Sequence, residues 1–377
     1  MPSIPLHGME RANIQIMSLL KGAGADVLFI AESEWGGGVV EAIESAGCKW
    51  VGIELTQQLS LPSNPVRLYR VWRNWLQTHR EIRKVFFSYK PTHIYLTNVS
   101  FFLYSLPLTG RRKVKTVFRL PNPPESKSSG WKQWLWNRIW KIAIVPRCDA
   151  LICNSQYTLD KLRALATPLD NLILIYNSLP KRARMSVSDA PEMSRKRFNV
   201  IYIGRIREEK GVGVLYDAAK IVVQRHESVD FYLIGQNSWQ NPFADALIKE
   251  NVEAGLSSRI RFLDHVSDIP TVLDKASLHV CPSISSGESF PNVVLEAKHA
   301  GLPSVVFPTA GLPEAVVHGS EGQVCSEVSS RELAERIEAY VGSPALCQEH
   351  GVAARQSLQR YDEKMITEEW IRALTNG

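Results

Sequence analysis

Short β-branched apolar runs alternate with longer amphipathic ones along nearly the whole chain, and that rhythm restricts it to folds built from βαβ units. The first series of strand-like runs is "ADVLFIA" (25–31), "KWVGIEL" (49–55), "THIYLT" (92–97), "KTVFRL" (115–120), "ALICNS" (150–155) and "LILIYNS" (172–178). Helical stretches fill the gaps. A polar, aperiodic segment with two prolines, "NSLPKRARMSVSDAPEMSRKR", breaks the rhythm, and a second series follows. Its runs are "FNVIYIGR" (198–205), "VDFYLIG" (229–235), "RIRFLD" (259–264), "SLHVCPS" (277–283) and "PSVVFPT" (303–309). Strands this apolar are covered on both faces, as in parallel sheets flanked by helices. The expectation is an α/β chain of two doubly wound domains, 1–178 and 198–358, joined by a linker at 179–197. A final amphipathic segment, 359–377, carries Met365, Trp370, Ile371 and Leu374. The first domain opens unusually: "MPSIP" leaves room for a stub of strand before a turn at Gly8 and a helix over 10–21.

With 45% hydrophobic and 22% charged residues, the 377-residue chain has the composition of an ordinary soluble globular protein with two cores. The N-terminus lacks a cationic start followed by an apolar stretch, so export is not expected. The best spanning candidate, "THIYLTNVSFFLYSLPLTG", is interrupted by Asn98, Ser100 and Pro107. A cytoplasmic protein is expected. Six cysteines show neither C-x-x-C pairs nor partnered histidines, which signals no zinc site and no disulfide framework. A nicotinamide-dependent oxidoreductase is disfavoured, because "GVGVLY" places Tyr216 where the third glycine of G-x-G-x-x-G belongs.

Two stretches carry residues suited to chemistry. Gly204 ends the strand "FNVIYIG" and is followed by "RIREEKG", which puts Arg205 and Lys210 in a loop at a strand's C-terminal end, where open α/β sheets bind ligands. Two solvated loop cations are the competing reading. In "CPSISSGESFPNVVLEAKHAG" a loop gives way to a helix at Pro291 or Asn292, with Val293, Val294 and Ala297 facing inward. The helix N-terminus offers unpaired N–H groups and partial positive charge to an anion such as phosphate. Glu288 precedes that helix and Glu296 lies about one turn inside it. Either carboxylate alone also reads as a cap for the first amides.

Taken together, "YIGRIREEKG", "PSISSGESFPNVVLEAKHAGLPSVV", "TAGLPEAV", "LICNSQYTLDKL" and "LILIYNS" resemble the retaining nucleotide-sugar glycosyltransferases of family 4. The resemblance runs from Gly8 to the last helix. It implies the GT-B architecture, two Rossmann-like domains facing a deep cleft, with the final segment crossing back to the first domain. It implies a hexosyl or related transfer from a nucleoside-diphosphate sugar to a glycan or lipid-linked acceptor, in bacterial cell-surface polysaccharide, lipopolysaccharide or glycolipid synthesis. Arg205 and Lys210 match the pair on the donor diphosphate, Glu288 the sugar-contacting glutamate and Glu296 the acceptor of ribose hydroxyls. Gly204, Ser289, Phe290, Pro291 and Asn292 fall along the donor. No cofactor is then required, and with two cations on the diphosphate a metal is dispensable. The sequence departs from the family on the acceptor side: the usual Gly-Gly turn reads His7-Gly8, and Arg119 in "VFRLPNP" stands where the family carries a histidine. His7, Gly8 and Arg119 are the acceptor-side candidates. A GT-B nucleotide-sugar epimerase and a non-catalytic sugar-nucleotide-binding subunit are the alternatives.

The formal charge of +6 conceals an asymmetry: residues 61–147 hold 17 Lys/Arg against Glu81 and Glu125. In 67–87, Leu68, Trp72, Leu76, Ile82 and Phe86 are expected on one helical face, opposite Arg70, Arg73, Arg80 and Lys84. "WKQWLWNRIWKIAIVPR" sets Trp131, Trp134, Trp136 and Trp140 among four cations. Tryptophan beside Lys/Arg suits a headgroup–water boundary, so 67–87 and 111–147 are candidates for peripheral contact with an anionic membrane. Core tryptophans with a solvated charged face are the competing reading. No nucleic-acid-binding motif accompanies the charge.

Overall fold

The computed structural model describes residues 8–32, 38–53, 65–110, 113–124, 130–166, 169–178, 189–235 and 241–376, with backbone alone at 32, 65–68, 70 and 376. The opening stub, His7 and linker residues 179–188 lie outside the described residues. The chain divides into two compact units, Met1–Ser178 with Glu363–Gly377, and Leu179–Asp362.

In the first unit α1 (Gly8–Gly22), α2 (Gly38–Ser45), α3 (Pro65–Tyr89), α4 (Val99–Ser105), α5 (Trp131–Arg138) and α6 (Gln156–Leu165) surround two parallel ladders. One pairs β1 (Leu28–Glu32) with β2 (Lys49–Ile53). The other runs β3 (His93–Leu96), β4 (Lys115–Leu120), β5 (Ala150–Cys153) and β6 (Leu172–Leu174) in that order. Alternation along the strands sorts the core. Val117, Ala150 and Ile152 pack with Ile16, Met17 and Leu20 of α1, while Phe118, Leu120, Leu151 and Cys153 pack with Phe102, Trp140 and Leu162. The terminal helix α13 (Glu363–Asn376) joins the α1 side through Ile366, Trp370 and Ala373, at helical spacing. Met365 and Ile371 remain exposed.

The basic, aromatic helices differ from expectation in phase. Along α3 the buried stripe is Asn74, Thr78 and Ile82, and Trp72 is 56% exposed. Four-residue spacing from Ile82, which packs on Ile53 and Tyr104, fixes that stripe and rotates Trp72 outward. Trp140 is core and Trp136 is half-buried, donating to the Pro124 carbonyl, whereas Trp131 and Trp134 are 65% and 60% exposed. Among the described residues no helix is long and apolar enough to cross a membrane.

The second unit is one six-stranded parallel sheet, ordered β12-β11-β10-β7-β8-β9. Its strands are β7 (Phe198–Ile203), β8 (Val229–Ile234), β9 (Ile260–Leu263), β10 (Leu278–Cys281), β11 (Ser304–Val306) and β12 (Gly322–Val324). Helices α7 (Val212–Arg225), α8 (Pro242–Glu253), α9 (Ile269–Leu273), α10 (Asn292–Ala300), α11 (Ser330–Val341) and α12 (Pro344–Gln356) cover it. Every residue of β8, β10 and β11 is buried, which accounts for their largely apolar sequences; Asp230, His279 and Ser304 are the polar exceptions. Strand order reverses between β7 and β10, and the C-terminal ends of strands at such a switch point are where open α/β sheets bind ligands. Strand β12, "GQV", carries no apolar run to announce it; a Cβ at Gly322 would lie 2.1 Å from the Ser304 carbonyl oxygen, so pairing this close needs glycine.

Candidate active site

The two loops at that switch point bring two of the sequence candidates, Lys210 and Glu288, into contact. After β7 the chain turns through Glu208–Lys210 to Gly211, whose φ of 68° is a left-handed conformation. A Cβ there would sit 1.8 Å from the Pro282 carbonyl oxygen, so only glycine lets this turn lie directly on the loop after β10. Ile284 N–H and Ser283 Oγ both donate to the Glu209 carbonyl, at 3.2 and 3.3 Å, and fasten the two loops. The consequence is an ion pair between Lys210 Nζ and Glu288 Oε2, both side chains less than a quarter exposed.

Glu288 is held in turn by its backbone, donating to Ser285 and accepting from Gly311 N–H at 3.0 Å. Below it lie two neutral groups. Burial pushes the Tyr202 phenol well up, with the neighbouring Cys281 and Glu288 raising it further, and pushes the Cys281 thiol up to about 12, again with Glu288 raising it and Lys210 opposing. Arg205, one residue beyond Gly204, is exposed, and its guanidinium has no ion pair among the described residues; its carbonyl accepts the Tyr202 hydroxyl at 2.8 Å.

Helix α10 starts at Asn292 after Pro291, with no side-chain cap on its first amides. Glu288 thus pairs with lysine instead of capping the helix. Ser289 and Phe290 are buried, Phe290 against Tyr361 with ring centroids 5.5 Å apart. Val294 and Ala297 face inward as expected, and Leu295, Glu296 and Lys298 are buried as well, while Val293 is half-buried. Glu314 is half-buried in a short turn, Leu312–Ala315, that follows Gly311.

Sequence reasoning missed the support beneath this helix. Lys298, 1% exposed, donates to Glu321 Oε2 at 2.6 Å and to Ser357 Oγ at 3.1 Å, and Arg360 pairs with the other Glu321 oxygen. Burial favours the neutral forms of both; for Glu321 the bond from Lys298, its charge and the Val317 amide outweigh burial and hold the carboxyl below its usual range. The only signal in the sequence was a lysine on an otherwise inward face. In the first unit, Arg119 is buried among amide side chains and Gly8 begins α1 at the surface. Among the described residues no group of three or more His, Cys, Asp or Glu side chains is placed to hold a metal ion.

Residues 6–180 match the family model described as Glycosyltransferase Family 4, and residues 197–342 match Glycosyl transferases group 1. A glycogen synthase of Mycobacterium tuberculosis is 29% identical over 221 residues, 57% of this chain and 51% of that protein. A phosphatidyl-myo-inositol mannosyltransferase of Mycobacterium leprae is 28% identical over 193 residues, half of each chain. The chain spans about half the length of these curated relatives. Among solved structures, Anabaena HepE in complex with UDP and glucose superposes with a TM-score of 0.78 at 18% identity, covering 99% of this chain and 97% of that one. That likeness establishes the two-domain GT-B fold.

Proposed function

This chain belongs to the family 4 glycosyltransferases of GT-B fold, and from that premise we propose that it transfers a hexosyl or related sugar from a nucleoside diphosphate to another molecule. The acceptor is a glycan or lipid-linked saccharide of bacterial cell-surface polysaccharide or glycolipid synthesis, and the anomeric configuration is retained. HepE, solved with UDP and glucose, and the mannosyltransferase, named for a phosphoinositide lipid, support the donor and acceptor classes. The observation that carries the reading is the meeting of Lys210 with Glu288 at the switch point, beside the uncapped start of α10.

Each residue then has a role. Lys210 and Arg205 take the diphosphate, whose negative charge grows as the glycosidic bond stretches; fixed cations and the amides of α10 stabilise it without reorganising. Glu288 turns from Lys210 to the donor sugar and orients it. Glu296 accepts the ribose hydroxyls. Gly204 and the backbone from Ser289 to Asn292 line the donor. The leaving phosphate oxygen takes the acceptor proton, which removes the need for an opposite-face nucleophile. Residues 198–358 form the donor domain, 1–178 the acceptor side with Gly8 and Arg119, and 359–377 returns to the first domain.

A thermal-shift screen of nucleoside diphosphates, then of their sugars, tests the donor class. With the donor so found, Lys210→Ala should lower kcat and kcat/KM together, by about 10²–10³. Wild-type turnover in that variant removes Lys210 from the mechanism, and conversion of the donor without acceptor identifies an epimerase instead.

The exposed rings of α3 and α5 support a peripheral site on the inner face of the cytoplasmic membrane. Trp75, Ile82 and Phe86 of α3 and Trp136 of α5 belong to two apolar clusters that share Ile94 and Phe101. Arg83 lies over Phe87 and Arg138 over Trp134, ring centroids 5.5 and 5.1 Å away. Each cation near an anionic leaflet adds about 1 kcal/mol. Flotation with phosphatidylglycerol vesicles at low salt should carry the protein upward, and recovery at the bottom of the gradient would refute the contact.

A further inference from the structure

Arg119 lies at the C-terminal end of β4, the ligand edge of a parallel sheet, and is 1% exposed. Its Nη1 donates to Asn13 Oδ1 and its Nη2 to Asn177 Oδ1, each at 2.6 Å. The Tyr95 hydroxyl donates to the same Asn13 oxygen at 3.0 Å. Arg119 Nε is buried with no partner, and no carboxylate pairs with this guanidinium among the described residues. Buried charges are ordinarily matched by opposite ones. This one is met by amide dipoles alone.

The chemistry of the donor fixes the geometry of its neighbours. Arginine carries N–H donors and no acceptor, so the atom each amide turns toward it must be oxygen. Asn13 Oδ1 is thereby occupied by two donors, and its amide nitrogen points away from Arg119. Asn13 is half-buried in the second turn of α1, and among the described residues that nitrogen makes no hydrogen bond. Two N–H donors are thus presented at the sheet's ligand edge, backed by an uncompensated positive charge in a low-dielectric setting, where its field is weakly screened.

We propose that Asn13, set by Arg119 and Tyr95, binds an anionic group of the acceptor, a phosphate or a carboxylate. Arg119 is too deeply buried to touch it and is a positioning residue that also supplies the field. The assignment rests on the reading of the first unit as the acceptor side, and it moves the contact from Arg119 to a residue one helix away.

Ligand-observed NMR on the full chain saturated with UDP tests it, using methyl glucoside, methyl glucoside 6-phosphate and methyl glucuronide as probes. One or both charged glycosides should bind at least about tenfold more tightly than the neutral one. Asn13→Asp keeps the oxygen that Arg119 and Tyr95 hold but loses the N–H donors and adds negative charge. It should abolish the preference while leaving UDP affinity unchanged and the protein at least as thermally stable. Arg119→Lys should weaken it partially, because lysine cannot hold both amides. Which charged probe is preferred separates phosphate from carboxylate. Equal binding of the three, binding of none, or an intact preference in Asn13→Asp overturns the proposal. Failure of the wild type to bind UDP sinks the donor reading instead and leaves the glycoside comparison interpretable.

Discussion

The two units share an architecture and treat buried charge in opposite ways. In the second, buried and half-buried charges meet opposite ones: Lys210 with Glu288, Glu321 with Lys298 and Arg360, Asp230 with Arg197 and Arg259. In the first, the deepest charge, Arg119, rests on the neutral oxygens of Asn13 and Asn177. A compensated site holds its shape before any ligand arrives, which suits the proposed donor, whose diphosphate would be the same in every turnover. An uncompensated one gains most when an anion comes near.

The contrast predicts a large difference in fragility. Glu321→Ala leaves Lys298 buried with the Ser357 hydroxyl and the Tyr361 ring but no carboxylate, and should destabilise the second unit by about 3–5 kcal/mol. Lys298→Met together with Glu321→Leu should recover most of that, since the pair itself is near neutral in worth. Arg119→Met removes the charge along with its need for a partner and should cost less, about 1–3 kcal/mol from amide oxygens left unpaired. Calorimetric unfolding of the variants checks the order. Equal losses would erase the distinction between the units.

A smaller effect concerns acid. Glu332 accepts the amides of Ser326 and Glu327 and bonds to Arg336; burial pushes its carboxyl up, but these donors prevail and hold it at about 2, against the usual 4.5. The folded form therefore prefers the carboxylate. The stabilisation is complete above the unfolded value and is lost as pH falls from there through about 2. Urea midpoints at pH 3 and 7 should differ less in Glu332→Gln than in the wild type.

Much of the fold was legible because burial on both faces writes itself into composition. All eleven strand-like runs contain strands, though several end early, as at Leu174 and Val306, where the chain leaves the ladder into loops still rich in apolar residues. The run "GQV" was silent, because its place is set by the backbone of β11 and by the absence of a side chain at Gly322. The face of α3 was misjudged at Trp72 for a related reason. Amphipathic pattern counts apolar residues, but Asn74 and Thr78 are what the neighbouring elements bury.

The residues of the candidate site divide the same way. Arg205, Lys210, Glu288 and Glu296 stand in contiguous motifs, and strand-to-loop boundaries were enough to expect them at one sheet edge, where Lys210 and Glu288 do meet. The Lys298–Glu321–Arg360 and Asn13–Arg119–Asn177 clusters join residues 23 to 106 positions apart, with no local pattern to link them. Sequence by itself determined the alternation of strands and helices and the chemistry carried on two loops, because periodicity and turn residues act over a few positions. Tertiary structure alone decided which buried charges are compensated, because that depends on which distant side chains share a low-dielectric space.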